Sequence, residues 1–240
     1  MRSLLTTLAF LLPFQGLKKK ILNRLGHSIH PTAYVGINLV RHVNKVVIAE
    51  GAGIGNFNLL GWLDLVELGV GARLSYLNMV TSGYTGEANN EDTGTRRTLR
   101  MGAHSRIVTM HIIDCSGGFI LGDECWVTGM RSQILTHAFD PHDGGIIVEP
   151  VELKRGSVLA TACTLLPGSV LGEGALLAAG STLWTRQEVK AESLAGGVPA
   201  RRLSPIKISD WVYNWQRYGG PVIQPATTAV EAESEVSPED

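Results

Sequence analysis

Apolar positions in the second half of the chain recur every six residues. Leucine opens six consecutive hexapeptides, at Leu153, Leu159, Leu165, Leu171, Leu177 and Leu183. In the first five units the fourth place is glycine or alanine (Gly156, Ala162, Gly168, Gly174, Gly180) and the fifth is small (Ser157, Cys163, Ser169, Ala175, Ser181). A helix of period 3.6 would scatter these leucines around its surface, and a simple strand of period 2 would not fix a glycine at every sixth place.

This period predicts a coil of short strands joined by tight corners. The leucine points into a narrow axis on every flat face, and the glycine suits a corner backbone that other residues adopt at a cost. The fifth residue must be small because neighbouring coils stack closely there. Cys163 is therefore predicted to be a packing residue. The three cysteines (Cys115, Cys125, Cys163) lack metal-type spacing and cannot all pair within one chain, which fits a reducing cytosol.

The same unit recurs upstream in shifted registers, so the predicted repeat domain covers residues 29–205. Each shift indicates an insertion, and the two longest are a polar loop at 81–98 and a loop at 138–150. After the repeat, Trp211, Trp215 and Tyr218 at helical spacing predict a C-terminal helix over 206–220 with Ser209 as its cap. The acidic residues 221–240 are predicted to form a disordered tail.

Residues 1–28 are predicted to form an amphipathic N-terminal helical segment. Its apolar run, Leu4 to Phe14, is too short to span a bilayer and lacks the order of a signal peptide. Five basic residues and no acid lie in residues 1–30 (Arg2, Lys18, Lys19, Lys20, Arg24). The pattern indicates a helix on a membrane surface, contacting it through residues 1–25, or a helix packed on the protein itself or on a partner subunit. The net charge of −1 gives no general attraction to nucleic acid.

The segments "LATACTLLPGSVLGEGALLAAGST" and "AGGVPARRL" resemble the signature of the left-handed β-helix, or hexapeptide-repeat, acyltransferase superfamily. That resemblance implies an all-β protein, a left-handed parallel β-helix with three faces per coil. It also implies a homotrimer that uses acetyl-CoA as acyl donor. Within the superfamily, "THAFDP" is similar to a stretch of the maltose- and galactoside-type sugar O-acetyltransferases, and "HIIDCSGGFILGD" is similar to bacterial polysaccharide O-acetyltransferases.

The implied function is transfer of an acetyl group to a hydroxyl of a sugar or glycan precursor, in the cytoplasm or at the inner face of the membrane. The family's catalytic histidine falls on His137, and an imidazole can take a hydroxyl proton near neutral pH. A carboxylate should orient the ring, and the sequence leaves Asp114, Asp140 and Asp143 open. His111 either binds the acceptor or caps a coil.

Cofactor contacts carried over from the family fall at four positions. The amide of Ala160 is expected among the donors to the oxyanion, with Thr161 and Ala179 along the cofactor and Arg201 near its phosphates. No metal is expected at this site. A Thr-Lys pair that the family places near the pantetheine is replaced by Trp184 and Thr185.

Two other functions remain open. One is a zinc enzyme like the γ-class carbonic anhydrases, which share this fold and bind zinc with a His-x4-His pair and an upstream histidine. His111, His137 and His142 would supply those ligands. The other is a catalytically silent β-helix that serves as an assembly scaffold.

Overall fold

The computed structural model of the protein describes residues 2–83 and 94–209. Two helices, α1 (Arg2–Leu11) and α2 (Gln15–Arg24), precede a long series of mostly very short strands. The strands are β1 (Ser28–Ile29), β2 (Tyr34–Val35), β3 (Leu39–Ile48), β4 (Gly53–Ile54), β5 (Leu59–Leu68), β6 (Arg73–Leu74), β7 (Met79–Thr81), β8 (Thr98–Met101), β9 (Arg106–Ile107), β10 (Ile112–Asp114), β11 (Phe119–Leu121), β12 (Trp126–Val127), β13 (Gln133–Ile134), β14 (His137–Asp140), β15 (Gly145–Val148), β16 (Val151–Leu153), β17 (Val158–Leu159), β18 (Thr164–Leu165), β19 (Val170–Leu171), β20 (Leu176–Leu177), β21 (Thr182–Leu183), β22 (Glu188–Val189), β23 (Ser193–Gly197) and β24 (Ala200–Pro205).

The strands stack into three parallel faces around one axis. The first face runs β2-β4-β6-β9-β12-β17-β20-β23, and β24 closes it with an antiparallel pairing. The second face runs from the first parts of β3 and β5 through β7, β10, β13, β18 and β21. The third face holds β1, the later parts of β3 and β5, and then β8, β11, β16, β19 and β22. The prediction of a left-handed parallel β-helix is confirmed.

We call the turn from the first face to the second the first corner, and the turn from the second face to the third the second corner. In the regular part, Val158 pairs with Leu176 and Leu176 with Leu194, so one coil takes 18 residues. Three hexapeptides therefore make one coil, with one hexapeptide for each face.

The core is a set of aliphatic rows along the axis. The six leucines of the repeat are all buried, with at most 1% of any of them exposed. The small fifth-place residues are buried beside them, as predicted for packing positions, and Cys163 is among them. At the corners φ is positive, with values of 65°, 73°, 60° and 69° at Gly156, Gly168, Gly174 and Gly180. This confirms the predicted role of the fourth-place glycines.

A ladder of buried polar side chains runs along the first corner. The amide nitrogen of the Asn58 side chain donates to Oδ1 of Asn38 (3.0 Å), and that of Asn78 donates to Oδ1 of Asn58 (3.1 Å). His111 and Ser132 continue the ladder in the next two coils. Each rung satisfies backbone groups that the tight corner would otherwise leave without a partner.

The N-terminal segment forms two helices instead of one, and the break falls at Pro13, whose ring does not fit a helix interior. Both helices are bonded to the β-helix. Arg2 Nη2 donates to the carbonyl of Asn44 in β3 (3.0 Å), and Lys18 Nζ donates to the carbonyls of Val35 (2.9 Å) and Gly36 (2.6 Å). Lys18 is fully buried, and its side chain caps carbonyls of the first coil. No helix in the described part of the chain is long and apolar enough to cross a membrane.

The insertions and the C-terminus differ in detail from the prediction. The insertion at 138–150 is a β-hairpin of β14 and β15, not an irregular loop. The insertion at 81–98 lies between β7 and β8, and residues 84–93 of it are outside the described range. Residues 206–209 are not helical; the rest of the expected helix, 210–220, and the tail, 221–240, lie beyond the described residues.

We expect two adjacent leucines of β20, Leu176 and Leu177, to contribute very differently to the stability of the fold. Leu177 is fully buried on the axis, while Leu176 is half-buried on the outer surface. Leu177→Ala should lower the free energy of unfolding by about 2–5 kcal/mol, because it leaves a cavity that the stacked coils cannot close. Leu176→Ala, the matched control, should cost clearly less. Chemical denaturation of both variants measures this, and equal losses would contradict an axis packed by the leucine rows.

Candidate active site

His137 lies at the second corner, at the base of the projecting hairpin. It is the first residue of β14 and pairs with Val148 of β15. The end of the hairpin is held by Glu149, whose carboxylate accepts two hydrogen bonds from Arg186 Nε (2.9 and 3.0 Å). The prediction that His137 stands where the repeat gives way to an excursion is therefore confirmed. About one third of its side chain is exposed, so the ring lies at the surface of a rigid support.

Asp114 holds the imidazole in place. Its Oδ2 lies 2.8 Å from Nδ1 of His137, a contact between residues 23 positions apart in the chain. The two meet because β10, which ends at Asp114, pairs directly with β13, which precedes His137. Of the three carboxylates that the sequence left open, the structure places Asp114 against the ring.

The carboxylate of Asp114 is nearly buried but well supplied with donors. Oδ1 accepts hydrogen bonds from the Ser116 hydroxyl (2.6 Å) and the Gly83 amide (3.1 Å), and Oδ2 accepts from the Thr136 amide (3.0 Å). Burial raises the pKa of Asp114, but the hydrogen bonds from Ser116, His137, Gly83 and Thr136 outweigh it and leave that pKa below its ordinary value. Asp114 is therefore an anion at neutral pH.

An ionised carboxylate can only accept hydrogen bonds, so Nδ1 of His137 must carry the proton that lies between them. In the neutral ring, Nε2 then keeps its lone pair. A ring nitrogen that carries a lone pair, on an imidazole fixed by a buried anion, can remove a proton from a hydroxyl. The anion also stabilises the imidazolium that this transfer creates.

Three residues of this network were not identified from the sequence. Ser116 and Thr136 fix the carboxylate of Asp114, and both lie inside motifs already noted, in "HIIDCSGGFILGD" and "THAFDP". Gly83 leaves room for the imidazole, since a Cβ built there would lie 3.3 Å from Cε1 of His137. The sequence signal for Ser116 and Thr136 is a hydroxyl residue within two positions of a candidate Asp or His.

Asp140 and Asp143 lie in the turn of the hairpin. Oδ1 of Asp140 accepts hydrogen bonds from the amides of His142 (2.9 Å) and Asp143 (3.3 Å), and these lower the pKa of Asp140. This is a local turn motif of a kind common for aspartate. No hydrogen bond joins either carboxylate to His137 in the described part of the chain.

His111 belongs to the ladder of the first corner. It is 1% exposed, its Nδ1 accepts a hydrogen bond from the Ser132 amide (3.2 Å), and its own amide donates to Oδ1 of Asn78 (3.0 Å). Burial lowers the pKa of His111 to about 4. His111 directly precedes β10 and Asp114 ends it, so the two residues lie about 10 Å apart along the chain. Of the two alternatives for His111, this placement favours the coil cap.

The expected cofactor contacts fall mainly at the first corner. Thr161 and Ala179 occupy corresponding places of successive coils and are exposed, and Ala160 directly precedes Thr161. One expectation is wrong: the Ala160 amide donates to the Leu177 carbonyl (3.0 Å), so it serves the ladder between coils and not an oxyanion. Arg201 is exposed on β24, opposite Gly196, and lines a groove of about 620 Å³ at the C-terminal end.

The geometry does not support the zinc alternative. In residues 2–83 and 94–209, no three His, Cys, Asp or Glu side chains are grouped so that they could hold a metal ion. His111 is committed to its ladder, and His142 lies in the hairpin turn. The three thiols are buried, and burial raises the pKa of Cys115, Cys125 and Cys163, which suits packing residues.

The chain is similar to solved structures. AntD, an N-acyltransferase from Bacillus cereus whose mutant was determined with dTDP and coenzyme A, is 16% identical, with a TM-score of 0.51 over 79% of this chain and 89% of that one. A hexapeptide-repeat acetyltransferase of Vibrio cholerae, determined with acetyl coenzyme A, is 20% identical, with a TM-score of 0.48 over 59% of this chain and 72% of that one. No family model matches the chain, and no curated protein matches it significantly in sequence.

The ladder role of His111 predicts a specific pH dependence of stability. The folded pKa of about 4 lies below the ordinary 6.5, so between these values the unfolded chain binds a proton that folded His111 does not. This contribution is complete above about pH 6.5 and is lost as the pH falls towards 4. His111→Asn, which extends the asparagine ladder, should therefore flatten the loss of stability over that range.

The free energy of unfolding of the wild type and of His111→Asn, measured with denaturant from pH 7 to pH 4, tests this. His27 is present in both proteins and therefore contributes equally to both. The same variant should keep its KM for the acceptor within about threefold of the wild-type value, because a ladder residue binds no substrate. An unchanged pH slope together with a much higher KM would favour the acceptor-binding role instead.

Proposed function

We propose that this protein transfers an acetyl group from acetyl-CoA to a hydroxyl of a sugar or glycan precursor, with His137 as general base. The observation that carries the proposal is the His137–Asp114 pair, fixed at a corner of a hexapeptide β-helix. The fold supports it, because AntD, which has the same fold, is an acyltransferase determined with coenzyme A. The "THAFDP" motif around His137 supports a sugar hydroxyl as acceptor.

In the proposed reaction, Nε2 of His137 takes the hydroxyl proton as the oxygen attacks the thioester carbonyl. The tetrahedral intermediate collapses with cleavage of the carbon–sulfur bond. The proton on His137 then passes to the departing thiolate, so the products are the O-acetyl sugar and coenzyme A. Asp114 remains ionised throughout and holds the ring. A positioned base of this kind contributes about 10²–10⁴ in rate.

The working unit in this proposal is a homotrimer with the cofactor between subunits. Within one chain, His137 lies at the second corner, whereas Thr161 and Ala179 lie at the first corner, at the other end of the second face. Six residues of extended chain separate the two corners, a distance of roughly 15–20 Å. A closed three-fold ring would bring the second corner of one subunit against the first corner of the next.

The first test is His137→Ala. It should lower kcat for acetyl transfer by about 10²–10⁴ while the fold and the affinity for coenzyme A are retained, because the ring is at the surface and outside the leucine rows. Steady-state kinetics with acetyl-CoA and a panel of sugars measures kcat, and calorimetry measures coenzyme A binding. Asp114→Asn should also lower kcat, because its amide can donate to Nδ1 and reverse the tautomer.

His142→Ala is the matched control, since it removes an exposed histidine from the same hairpin and should leave kcat unchanged. A His137→Ala enzyme that retains more than about a tenth of wild-type kcat would contradict the assignment of the base. Failure of the wild-type protein to turn over any thioester would favour the scaffold alternative. If the enzyme acetylated only amino sugars, the acceptor group would be an amine and not a hydroxyl.

A second test asks whether each active site is formed by two neighbouring subunits. His137→Ala and Ala179→Tyr are each expected to be inactive alone, the latter because its ring would fill the cofactor groove. Co-expressed, the two chains should recover about a quarter of wild-type activity, since one interface in four then joins an intact His137 to an intact first corner. Light scattering should give three times the chain mass, and a monomer or an inactive mixture would contradict the trimeric site.

A further inference from the structure

An exposed apolar surface covers the N-terminal end of the molecule. In α1, Leu4, Leu8 and Leu11 recur along one side and are 63%, 52% and 44% exposed. Phe14, between the helices, is 67% exposed, and Leu17 of α2 is 51% exposed. We call these five residues the apolar row. So many large apolar side chains in one segment are unusual on a soluble surface and indicate a binding face.

The helices present this row because their other sides are fixed to the β-helix. Phe10 and Leu22 are fully buried, and Oγ1 of Thr6 lies 3.1 Å from Nε2 of the buried His27. Gln15 bonds the backbone of Val35 through both atoms of its amide group. Rotation of either helix to hide the row would break these contacts. The row therefore faces outward as a consequence of how the segment docks.

The charged residues of the N-terminal segment that carries the apolar row are all basic. Residues 1–49 contain seven basic residues and no acid, the first acid being Glu50. Lys20 and Arg24 follow Leu17 at helical spacing, are exposed, and make no hydrogen bond or ion pair with the described residues. Four of the other five basic residues are already used, since their side chains donate to backbone carbonyls of the molecule (Arg2, Lys18, Lys19 and Lys45).

We propose that the apolar row, with Lys20 and Arg24, docks the protein on the surface of an anionic lipid bilayer. Two ten-residue helices cannot cross a bilayer, but helices of this length can lie in its interface with their apolar side among the acyl chains. The basic side chains of Lys20 and Arg24 suit anionic headgroups. A second copy of the chain fits less well, because two such surfaces would bring like charges together.

The structure also bears on the character of the attachment, because the sequence offers five basic residues for it in residues 1–30. With Arg2, Lys18 and Lys19 occupied, the apolar row supplies most of the attachment and Lys20 and Arg24 the rest. Binding should therefore persist when salt screens the two charges.

The experiment is sedimentation of the full-length protein with vesicles of phosphatidylcholine containing about one-third phosphatidylserine. The wild type should sediment at about 0.1 M NaCl and remain largely bound at about 0.5 M, where the Debye length is only a few ångströms. The variant Leu4→Ser, Leu8→Ser, Leu11→Ser, Phe14→Ser should bind at least about tenfold less at both salt concentrations. These residues are exposed, so the variant should keep its circular dichroism spectrum.

Charge is tested separately with Lys20→Glu, Arg24→Glu, which should bind several-fold less than wild type at low salt and about equally at high salt. The matched control, Lys190→Glu, Lys207→Glu, makes the same charge change on exposed residues at the other end of the β-helix and should bind as the wild type does. Turnover of a soluble acceptor should be unchanged in the serine variant, so failure here leaves the proposed chemistry intact.

Three results would overturn the proposal. The wild type could stay in the supernatant with anionic vesicles, or the serine variant could sediment as well as the wild type. Alternatively, the serine variant could show a smaller mass than the wild type by light scattering without lipid. That last result would assign the apolar row to contacts between copies of the chain.

Discussion

The architecture depends on the filling of one narrow axis by an aliphatic side chain on every face of every coil. In the two-residue strands the second residue points inward, as with Val35, Ile54 and Leu74 on the first face, all fully buried. A one-residue shift would turn these rows outward, so the register of each coil is strongly specified. The corners, and every functional side chain on them, take their positions from that register.

Asp114 shows how the scaffold builds a site. A carboxylate in a corner would ordinarily cost free energy through the loss of its hydration. Here Ser116 of the same corner, Thr136 of the next coil and Gly83 of an insertion supply donors, so the anion is retained and a fixed acceptor faces His137. Since Ser116 and Thr136 lie on the stacked coils, the ring orientation is set before any substrate arrives, which is the condition for efficient proton transfer.

How far the sequence predicts this molecule depends on the range of the interactions. The leucine rows and the corner glycines repeat locally, so the six-residue period predicts them, and a short motif identifies His137. The partner of His137 is 23 residues away, and only coil stacking decides between Asp114 and Asp140. The contacts of Lys18 and Ala160 could not be predicted from the sequence for a related reason. Each satisfies a backbone group of another coil or turn, a demand that residue type and spacing alone do not reveal.

In the proposed site, the His137–Asp114 pair of one subunit acts on a thioester held against the next subunit. A crystal structure of the protein with coenzyme A is the sharpest test. The cofactor sulfur should lie about 3–3.5 Å from Nε2 of His137 of one subunit, with the pantetheine against Thr161 and Ala179 of the next. A sulfur remote from every His137, or a cofactor held within a single chain, would contradict it.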